Sequence, residues 1–357
     1  MMGSKILSIY PTILTTKIAL YDGEKETKRA ELRHDPFELF NRPTMKEQND
    51  VRYYALEKFI NGWITRDDMP DAVIGCALLK VKMPAGIYAL DSELLGRMLG
   101  AQSIGRIINH GAMLASKISE SFGVKPYALV PFATDELDTI SKISGVPGLR
   151  FGRMTQTLHI KNAVRLAASD LQKSPNDVSL VIAYLGKNFS LASHSEGRIR
   201  DFSNTFERGP FSRTRSGALP ASELIRMAYS GGWSKTDLLK SIYSSGGMSS
   251  YAGTDDLKSV ISLMEDGDAY SSLLIRAMLY QLSAEIASLA TTIYGKTDAV
   301  VLTGEYALYQ PFARLIGESV SWIAKTLLSY SGEDELAMIA GAAFRALQGV
   351  QALIVCE

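Results

Sequence analysis

The chain has 357 residues, enough for two domains of ordinary size, and 46% of them are hydrophobic, as is usual for globular proteins. Lys and Arg total 38, as do Asp and Glu, so the zero formal charge excludes the electrostatic footprint of a nucleic-acid or anionic-membrane binder. The two cysteines, Cys76 and Cys356, exclude a disulfide framework, and no leader or uncharged membrane span is recognised. We therefore expect a soluble, cytoplasmic protein.

The first predicted elements lie in LSIYPTILTTKIALYDG (7–23), where two apolar, β-branched runs flank a short Pro-Thr break. This pattern is typical of a strand, a tight turn and a second strand. Helical periodicity follows over 46–64 and 94–122, and buried strands are predicted at 71–79 and 126–133. Strands and helices alternate, which predicts an α/β architecture.

The pattern restarts after the Pro-Gly break in GVPGLR. A helix at 159–172 leads to SLVIAYLGKNFSLASHSEGRIRDF, which again predicts strand, tight turn and strand. Helices dominate 221–294, the apolar strand at 298–304 ends at a glycine, and a long apolar helix follows SGEDEL. The two hairpin-led halves predict a duplicated α/β domain with a cleft between the halves.

Five segments carry a likeness to one protein family. They are ILSIYPTILTTK at the start, GPFSRTRSGALP at 209–220, GGMSSYAGTDD at 246–256, DAVVLTGEYA at 298–307 and SGEDEL at 331–336. Their order and spacing match along nearly the whole chain, so the sequence resembles butyrate kinase, within the acetate and butyrate kinase group of carboxylate kinases. The resemblance implies an α/β fold of the actin/hexokinase/Hsp70-like (ASKHA) class, with two duplicated domains and a central cleft.

The resemblance also implies domains, a reaction and partners. It implies an N-terminal α/β domain over 1–150, with the C-terminal helix 336–357 as a candidate addition, and a nucleotide-binding and dimerising α/β domain over 151–335. Family members use ATP and Mg²⁺ to phosphorylate a short-chain carboxylate such as butyrate, giving an acyl phosphate and ADP. They usually form homodimers, so the expected partner is a second copy or a paralogous kinase subunit.

The family motifs assign candidate roles to twelve residues. The resemblance implies a catalytic role for Arg215 and Mg²⁺ binding by Glu333 and Glu335. It implies cofactor binding by nine residues, which are Thr15, Thr16, Lys17, Gly186, Lys187, Gly209, Asp256, Gly304 and Gly332. Seven of them have a structural alternative: a surface charge for Arg215, a strand-edge charge for Lys17, a favourable helix start for the two glutamates, and backbone conformation for Gly186, Gly304 and Gly332.

Five stretches depart from the family. The first loop, Asn-Pro-Gly-Ser-Thr-Ser-Thr-Lys in the family, is YPTILTTK at 10–17, without the Asn and Gly. Ser-Arg-Gly-Gly falls on 74–77, which has no arginine, and the aspartate of Val-Asp-Pro falls on Val130. His-Met-Gly-Gly-Gly becomes YLGKN at 184–188, and the Leu-Thr-Gly-Gly of the adenosine region becomes LTGE at 302–305.

Three functional hypotheses remain open from the sequence. Because several kinds of catalytic contact are replaced while the scaffold motifs between them are kept, the favoured one is a non-catalytic or impaired paralogue that binds a ligand, regulates or pairs with a true kinase subunit. The second is an active carboxylate kinase with a rebuilt site that uses Arg215, Lys17 and Lys187. The third is a cleft repurposed for another ligand.

Overall fold

The computed structural model describes residues 4–78, 85–100, 106–130, 137–151, 156–186, 188–206, 208–332, 334–350 and 352–354. Three residues singled out from the sequence, Lys187, Glu333 and Cys356, lie outside the described residues. The chain divides into two compact units. Unit 1 comprises Met1–Asp135 with Asp334–Glu357, and unit 2 comprises Glu136–Glu333.

The described residues form strands and helices in both units. The strands are β1 (Lys5–Pro11), β2 (Thr15–Asp22), β3 (Lys25–Arg33), β4 (Ala72–Cys76), β5 (Gly86–Ala89), β6 (Lys125–Val130), β7 (Leu180–Leu185), β8 (Phe189–Ser195), β9 (Arg198–Asn204), β10 (Ala299–Thr303), β11 (Leu327–Tyr330) and β12 (Leu353–Ile354). The α-helices are α1 (Pro36–Phe40), α2 (Met45–Trp63), α3 (Ser92–Leu99), α4 (Arg106–Phe122), α5 (Thr157–Asp170), α6 (Ala221–Tyr229), α7 (Lys235–Tyr243), α8 (Met248–Ala252), α9 (Leu257–Glu265), α10 (Ala269–Thr291), α11 (Gln310–Val320) and α12 (Glu335–Leu347).

Unit 1 is built on a mixed sheet with the strand order β12-β5-β6-β4-β1-β2-β3. The first three strands form an antiparallel meander, whereas β1, β4 and β6 run parallel. Alternating apolar residues of β1 and β2, such as Leu7 and Ile18, pack with Leu56 of α2 and Leu114 of α4 in one buried cluster. The C-terminal helix α12 also belongs to unit 1, where it contacts β1, β2 and β4.

Unit 2 repeats this plan with the strand order β11-β10-β7-β8-β9. Strands β7, β8 and β9 form an antiparallel meander, whereas β7, β10 and β11 run parallel. The core joins Val181 of β7 and Leu302 of β10 to Met278 of α10 and Phe312 of α11. In each unit the first two strands along the chain therefore form the strand–turn–strand pattern predicted from the sequence.

Helix α10 supplies the longest apolar segment of unit 2. Among the described residues it is the one helix long and apolar enough to cross a membrane. Leu274, Ile275, Leu282 and Ile286 are nevertheless buried in the core of unit 2. Burial in the core of unit 2 therefore explains the apolar composition of α10.

Three buried histidines make stability depend on pH. Burial lowers the pKa of His34, His110 and His194 from the usual 6.5 to about 4. The unfolded chain binds more protons than the folded chain between these values, so stability is lost as the pH falls through this window. We expect the free energy of unfolding to drop by roughly 1–2 kcal/mol per histidine between pH 7 and pH 5, as measured by urea denaturation. His110→Gln should reduce this drop; an unchanged pH dependence in that variant would contradict the assignment.

Candidate functional site

In each unit the parallel strands end at one edge of the sheet. Ligands of α/β proteins bind outside the carboxyl ends of such strands. We call the turns that follow β1, β4 and β6 the unit 1 edge, and the turns that follow β7, β10 and β11 the unit 2 edge. These two edges hold many of the residues assigned from the sequence.

The turn between β1 and β2 is closed by its own threonines. The N–H of Thr12 donates to the carbonyl oxygen of Thr15 at 2.8 Å, and the N–H of Thr15 donates to Oγ1 of Thr12 at 3.1 Å. The two hydroxyl oxygens lie 2.8 Å apart. Both of these N–H groups are therefore used within the turn, although a phosphate-binding turn needs such donors free.

Arg52 of α2 holds the same turn through its carbonyl groups. Its Nη2 donates to the carbonyl oxygens of Thr12 and Ile13 at 2.8 Å, and its Nη1 donates to the carbonyl oxygen of Thr15 at 2.9 Å. The residue is 3% exposed, and burial lowers its pKa to about 10, so it stays charged at neutral pH. Nothing in the sequence singled out Arg52, since a single arginine on an amphipathic helix carries no signal of burial.

Two further predicted residues follow this turn. Thr16 is buried, its Oγ1 lies 2.8 Å from Nε2 of His34, and it accepts a hydrogen bond from Arg52. Lys17 is half-buried in β2, opposite Tyr10 of β1. The hydroxyl of Thr16 thus already has partners within unit 1.

The end of β4 is filled by backbone from α4. A Cβ atom on Gly75 would lie 2.1 Å from the carbonyl carbon of Gly111, and a Cβ on Gly111 would lie 3.1 Å from the nitrogen of Cys76. Residues 74–77 are all buried and include no cationic side chain, and Val130 at the end of β6 is buried as well. The described residues at these two strand ends therefore place no cationic side chain there.

The predicted metal ligands lie around the start of α12. Glu333 is outside the described residues, and Glu335 is the first residue of α12, which Asp334 caps by accepting the N–H of Leu336 at 2.8 Å. Burial, with a smaller effect from the charge of Glu335, raises the pKa of the Cys76 thiol, so Glu335 is within electrostatic reach of the end of β4. No three His, Cys, Asp or Glu side chains of the described residues are grouped so as to hold a metal ion.

On the unit 2 edge, a tyrosine ring covers the turn after β7. A Cβ atom on Gly186 would lie 2.6 Å from Oη and 2.7 Å from Cε1 of Tyr184. The same ring lies 4.8 Å from the ring of His159, between centroids. Lys187, the next residue of this turn, is outside the described residues. An anion that approached this side of Gly186 would meet the phenol ring.

The turns after β7, β10 and β11 touch one another through their backbones. A Cβ atom on Gly304 would lie 3.0 Å from the backbone of Leu185, and one on Gly332 would lie 2.9 Å from Cα of Gly304. The N–H of Tyr306 donates to the carbonyl oxygen of Leu185 at 2.9 Å. Gly304 also has φ +99°, a conformation that favours glycine. The structure thus brings Gly186, Gly304 and Gly332 together.

Arg215 and Gly209 lie in the loop between β9 and α6. The guanidinium carbon of Arg215 lies 3.7 Å from the ring centroid of Phe206, and its Nε donates to the carbonyl oxygen of Tyr243 at 3.3 Å. A Cβ atom on Gly209 would lie 2.8 Å from the carbonyl oxygen of Asn204, so this position needs glycine. Packing within unit 2 fixes the position of Arg215.

Asp256 caps helix α9. Its carboxylate accepts hydrogen bonds from the Ser259 hydroxyl and, at 3.2 Å, from the N–H of Lys258. The bond from Ser259 holds the pKa of Asp256 below its usual value. This contact is that of an N-cap residue.

A second arginine of the same loop, Arg213, joins two turns of the unit 2 edge. Its Nη1 lies 3.1 Å from Oε2 of Glu305, and its Nη2 lies 3.5 Å from Oδ2 of Asp255. Its Nε donates to the carbonyl oxygen of Asp255, and its guanidinium carbon lies 5.0 Å from the ring centroid of Tyr306. The sequence analysis did not single out Arg213, although the two arginines of SRTRS were a visible signal.

Comparison with solved structures identifies the class of fold. The acetate kinase of Porphyromonas gingivalis aligns with a TM-score of 0.77 at 15% identity, over 96% of this chain and 100% of that chain. A propionate kinase from Francisella tularensis aligns with a TM-score of 0.73 at 15% identity, over 95% of this chain and 98% of that chain. The predicted ASKHA-like α/β fold is thereby confirmed.

Comparison with characterised sequences identifies the family. A profile of the acetokinase family matches residues 155–307. The chain is 31% identical to butyrate kinase 2 of Clostridium acetobutylicum over 98% of each chain. It is 32% identical to the probable butyrate kinase of Listeria innocua, over 98% of this chain and 99% of that protein. The chain belongs to the butyrate kinase family, as its motifs predicted.

Proposed function

We propose that this chain is a catalytically impaired or non-catalytic member of the butyrate kinase family. Membership supports the phosphorylation of a carboxylate by ATP as the ancestral reaction, with butyrate or a similar short-chain acid as acceptor and Mg²⁺ as the metal. Such a reaction depends on positioning and on charge stabilisation of the transferring phosphoryl group. The site therefore needs open phosphate-binding turns and cations directed at the phosphoryl group.

The contact between Tyr184 and Gly186 carries this proposal. The phenol ring lies directly over the glycine of the turn that follows β7, with Oη 2.6 Å from the position of a Cβ atom. Phosphate-binding turns use glycine so that the backbone can approach the anion closely. The described residues of this turn therefore place an aromatic ring, and not open backbone, on this side of Gly186.

The unit 1 edge supports the same conclusion. Thr12 and Thr15 bond their N–H groups within the first turn, so these two donors are not free for a phosphate group. Residues 74–77, where the family has an arginine, are buried and uncharged. Loss of one cationic phosphoryl clamp costs roughly 10³–10⁵ in rate, and loss of one preorganised donor roughly 10²–10³.

Family membership supports a proposal for the partner and the location. We propose a cytoplasmic dimer, either of two copies or of this chain with a paralogous kinase subunit. Exposed apolar side chains of unit 2, among them Tyr229, Trp233, Leu273 and Tyr280, support such an association.

A trapping assay tests the proposed function. The purified protein, whose mass is first measured by light scattering against the 39.0 kDa of one chain, is incubated with Mg-ATP, butyrate and hydroxylamine. We expect hydroxamate formation at least about 10³-fold slower than with the C. acetobutylicum butyrate kinase 2 as positive control, because several phosphoryl contacts are missing. A light-scattering mass of one chain would contradict the dimer.

The same assay decides between impaired and rebuilt sites. Arg226 is an exposed arginine of α6 and serves as the matched control for Arg215. Turnover that Arg215→Ala abolishes and Arg226→Ala leaves intact would establish an active kinase and refute the impaired site. A background rate unaffected by either substitution supports the proposal.

A further inference from the structure

We propose that Arg213 and Glu305 form a latch that closes the unit 2 edge against nucleotides. The inference rests on the proposed function and extends it. It names the two residues of this chain whose contact keeps a nucleotide from the unit 2 edge. Glu305 follows Gly304 in the turn after β10, at the carboxyl end of a parallel strand. Arg213 lies in the loop between β9 and α6.

The contacts of Arg213 join three separate segments of unit 2. Its guanidinium bonds to Asp255 before α9 and to Glu305 after β10, and it lies against the ring of Tyr306. The Arg213–Glu305 pair spans 92 positions in the chain. Contacts of the chain itself, among them the Arg213–Glu305 ion pair, therefore hold these segments together.

The charges of the latch disfavour a phosphate group. The side chain of Arg213 is 13% exposed, and its single positive charge faces two carboxylates, those of Asp255 and Glu305. Asp256 adds a third carboxylate, which acts electrostatically with Arg213. An incoming phosphate would have to displace Glu305 and meet the remaining acidic groups. The positive charge of Arg213 is therefore already balanced by these carboxylates when a further anion approaches.

Glu305 offers a way to open the latch without disturbing the core. Its side chain is 56% exposed, whereas Arg213 also stabilises its loop. Glu305→Gly removes both the carboxylate and its bulk, and Glu305→Gln removes only the charge. The Arg226–Glu223 pair on α6, which is exposed, provides the matched control through Arg226→Ala.

The test measures ADP affinity by isothermal titration calorimetry, without metal and at constant salt. We expect Glu305→Gly to bind ADP at least tenfold more tightly than the wild-type chain. The ADP affinity of Glu305→Gln should lie between those of Glu305→Gly and the wild type. The ADP affinity of Arg226→Ala should equal that of the wild type. A purely structural role for the ion pair would lower stability without raising ADP affinity, so the affinity separates the two roles.

Two results would overturn the latch. One is an ADP affinity of Glu305→Gly and Glu305→Gln equal to that of the wild type, and the other is an equal gain in ADP affinity in Arg226→Ala. Should Glu305→Gly fail to fold, Glu305→Gln decides, because it keeps the size of the side chain. Each of these outcomes is independent of the trapping assay, in which rapid acyl phosphate formation would contradict the proposed function instead.

Discussion

Gly75→Ala is expected to lower the free energy of unfolding by about 3–5 kcal/mol. The added Cβ atom would lie 2.1 Å from the carbonyl carbon and 2.2 Å from the carbonyl oxygen of Gly111, and both belong to the backbone of α4. A rotamer change cannot relieve this clash, so α4 and β4 must separate within the core of unit 1. Urea denaturation, followed by circular dichroism, measures the loss.

Gly62→Ala is the matched control for this prediction. Gly62 lies in α2, and a Cβ atom there has nothing within 4 Å. Alanine should stabilise that helix by roughly 0.5–1 kcal/mol, because glycine loses more backbone entropy on folding. If both substitutions changed stability alike, the close approach of β4 and α4 would be refuted.

Arg52→Ala is the second substitution with a large expected effect, a destabilisation of about 2–4 kcal/mol. The guanidinium bonds to the carbonyl oxygens of Thr12, Ile13 and Thr15. Its removal leaves the carbonyl oxygens of Thr12 and Ile13 without this donor in a part-buried turn, whereas that of Thr15 keeps the N–H of Thr12. The cost of such unsatisfied groups exceeds the net worth of the bonds. Denaturation midpoints at pH 7 measure the change.

The control for Arg52 is Lys58→Ala, which removes an exposed cation from the same helix. It should change stability by less than about 0.5 kcal/mol. Arg52→Lys should recover only part of the loss, since an ammonium group cannot reproduce the planar fork that reaches several carbonyls. A wild-type midpoint in Arg52→Ala would show that the turn does not depend on this residue.

Contacts within the chain occupy the turns in which the sequence departs from the family motifs. The turn after β1 is held by Arg52 and by its own threonines, the turn after β7 lies under Tyr184, and the turn after β10 is tied to Arg213. In three turns to which the family resemblance assigns nucleotide binding, the chain thus supplies its own contacts. This is the basis for proposing a family member that has kept its scaffold and changed its site.

Local sequence patterns determined a large part of the fold. The alternation of β1 and β2 across the Pro-Thr break and the repeated device at β7 and β8 follow from side-chain periodicity, which depends only on neighbouring residues. The motif order likewise placed the chain in its family. The roles of Arg215, Asp256, Glu335 and the other assigned residues remain predictions.

Only the tertiary structure decided how the altered positions are filled. The contact of Gly75 with Gly111, the bonds of Arg52 to the first turn and the pairing of Arg213 with Glu305 join residues between 36 and 92 positions apart. Local periodicity carries no information about such pairs, because they depend on how strands and helices pack. In LSIYPTILTTKIALYDG the sequence alone predicted a turn and showed that this turn contains no glycine. The packing of α2 beneath it decided that an arginine holds its carbonyl groups.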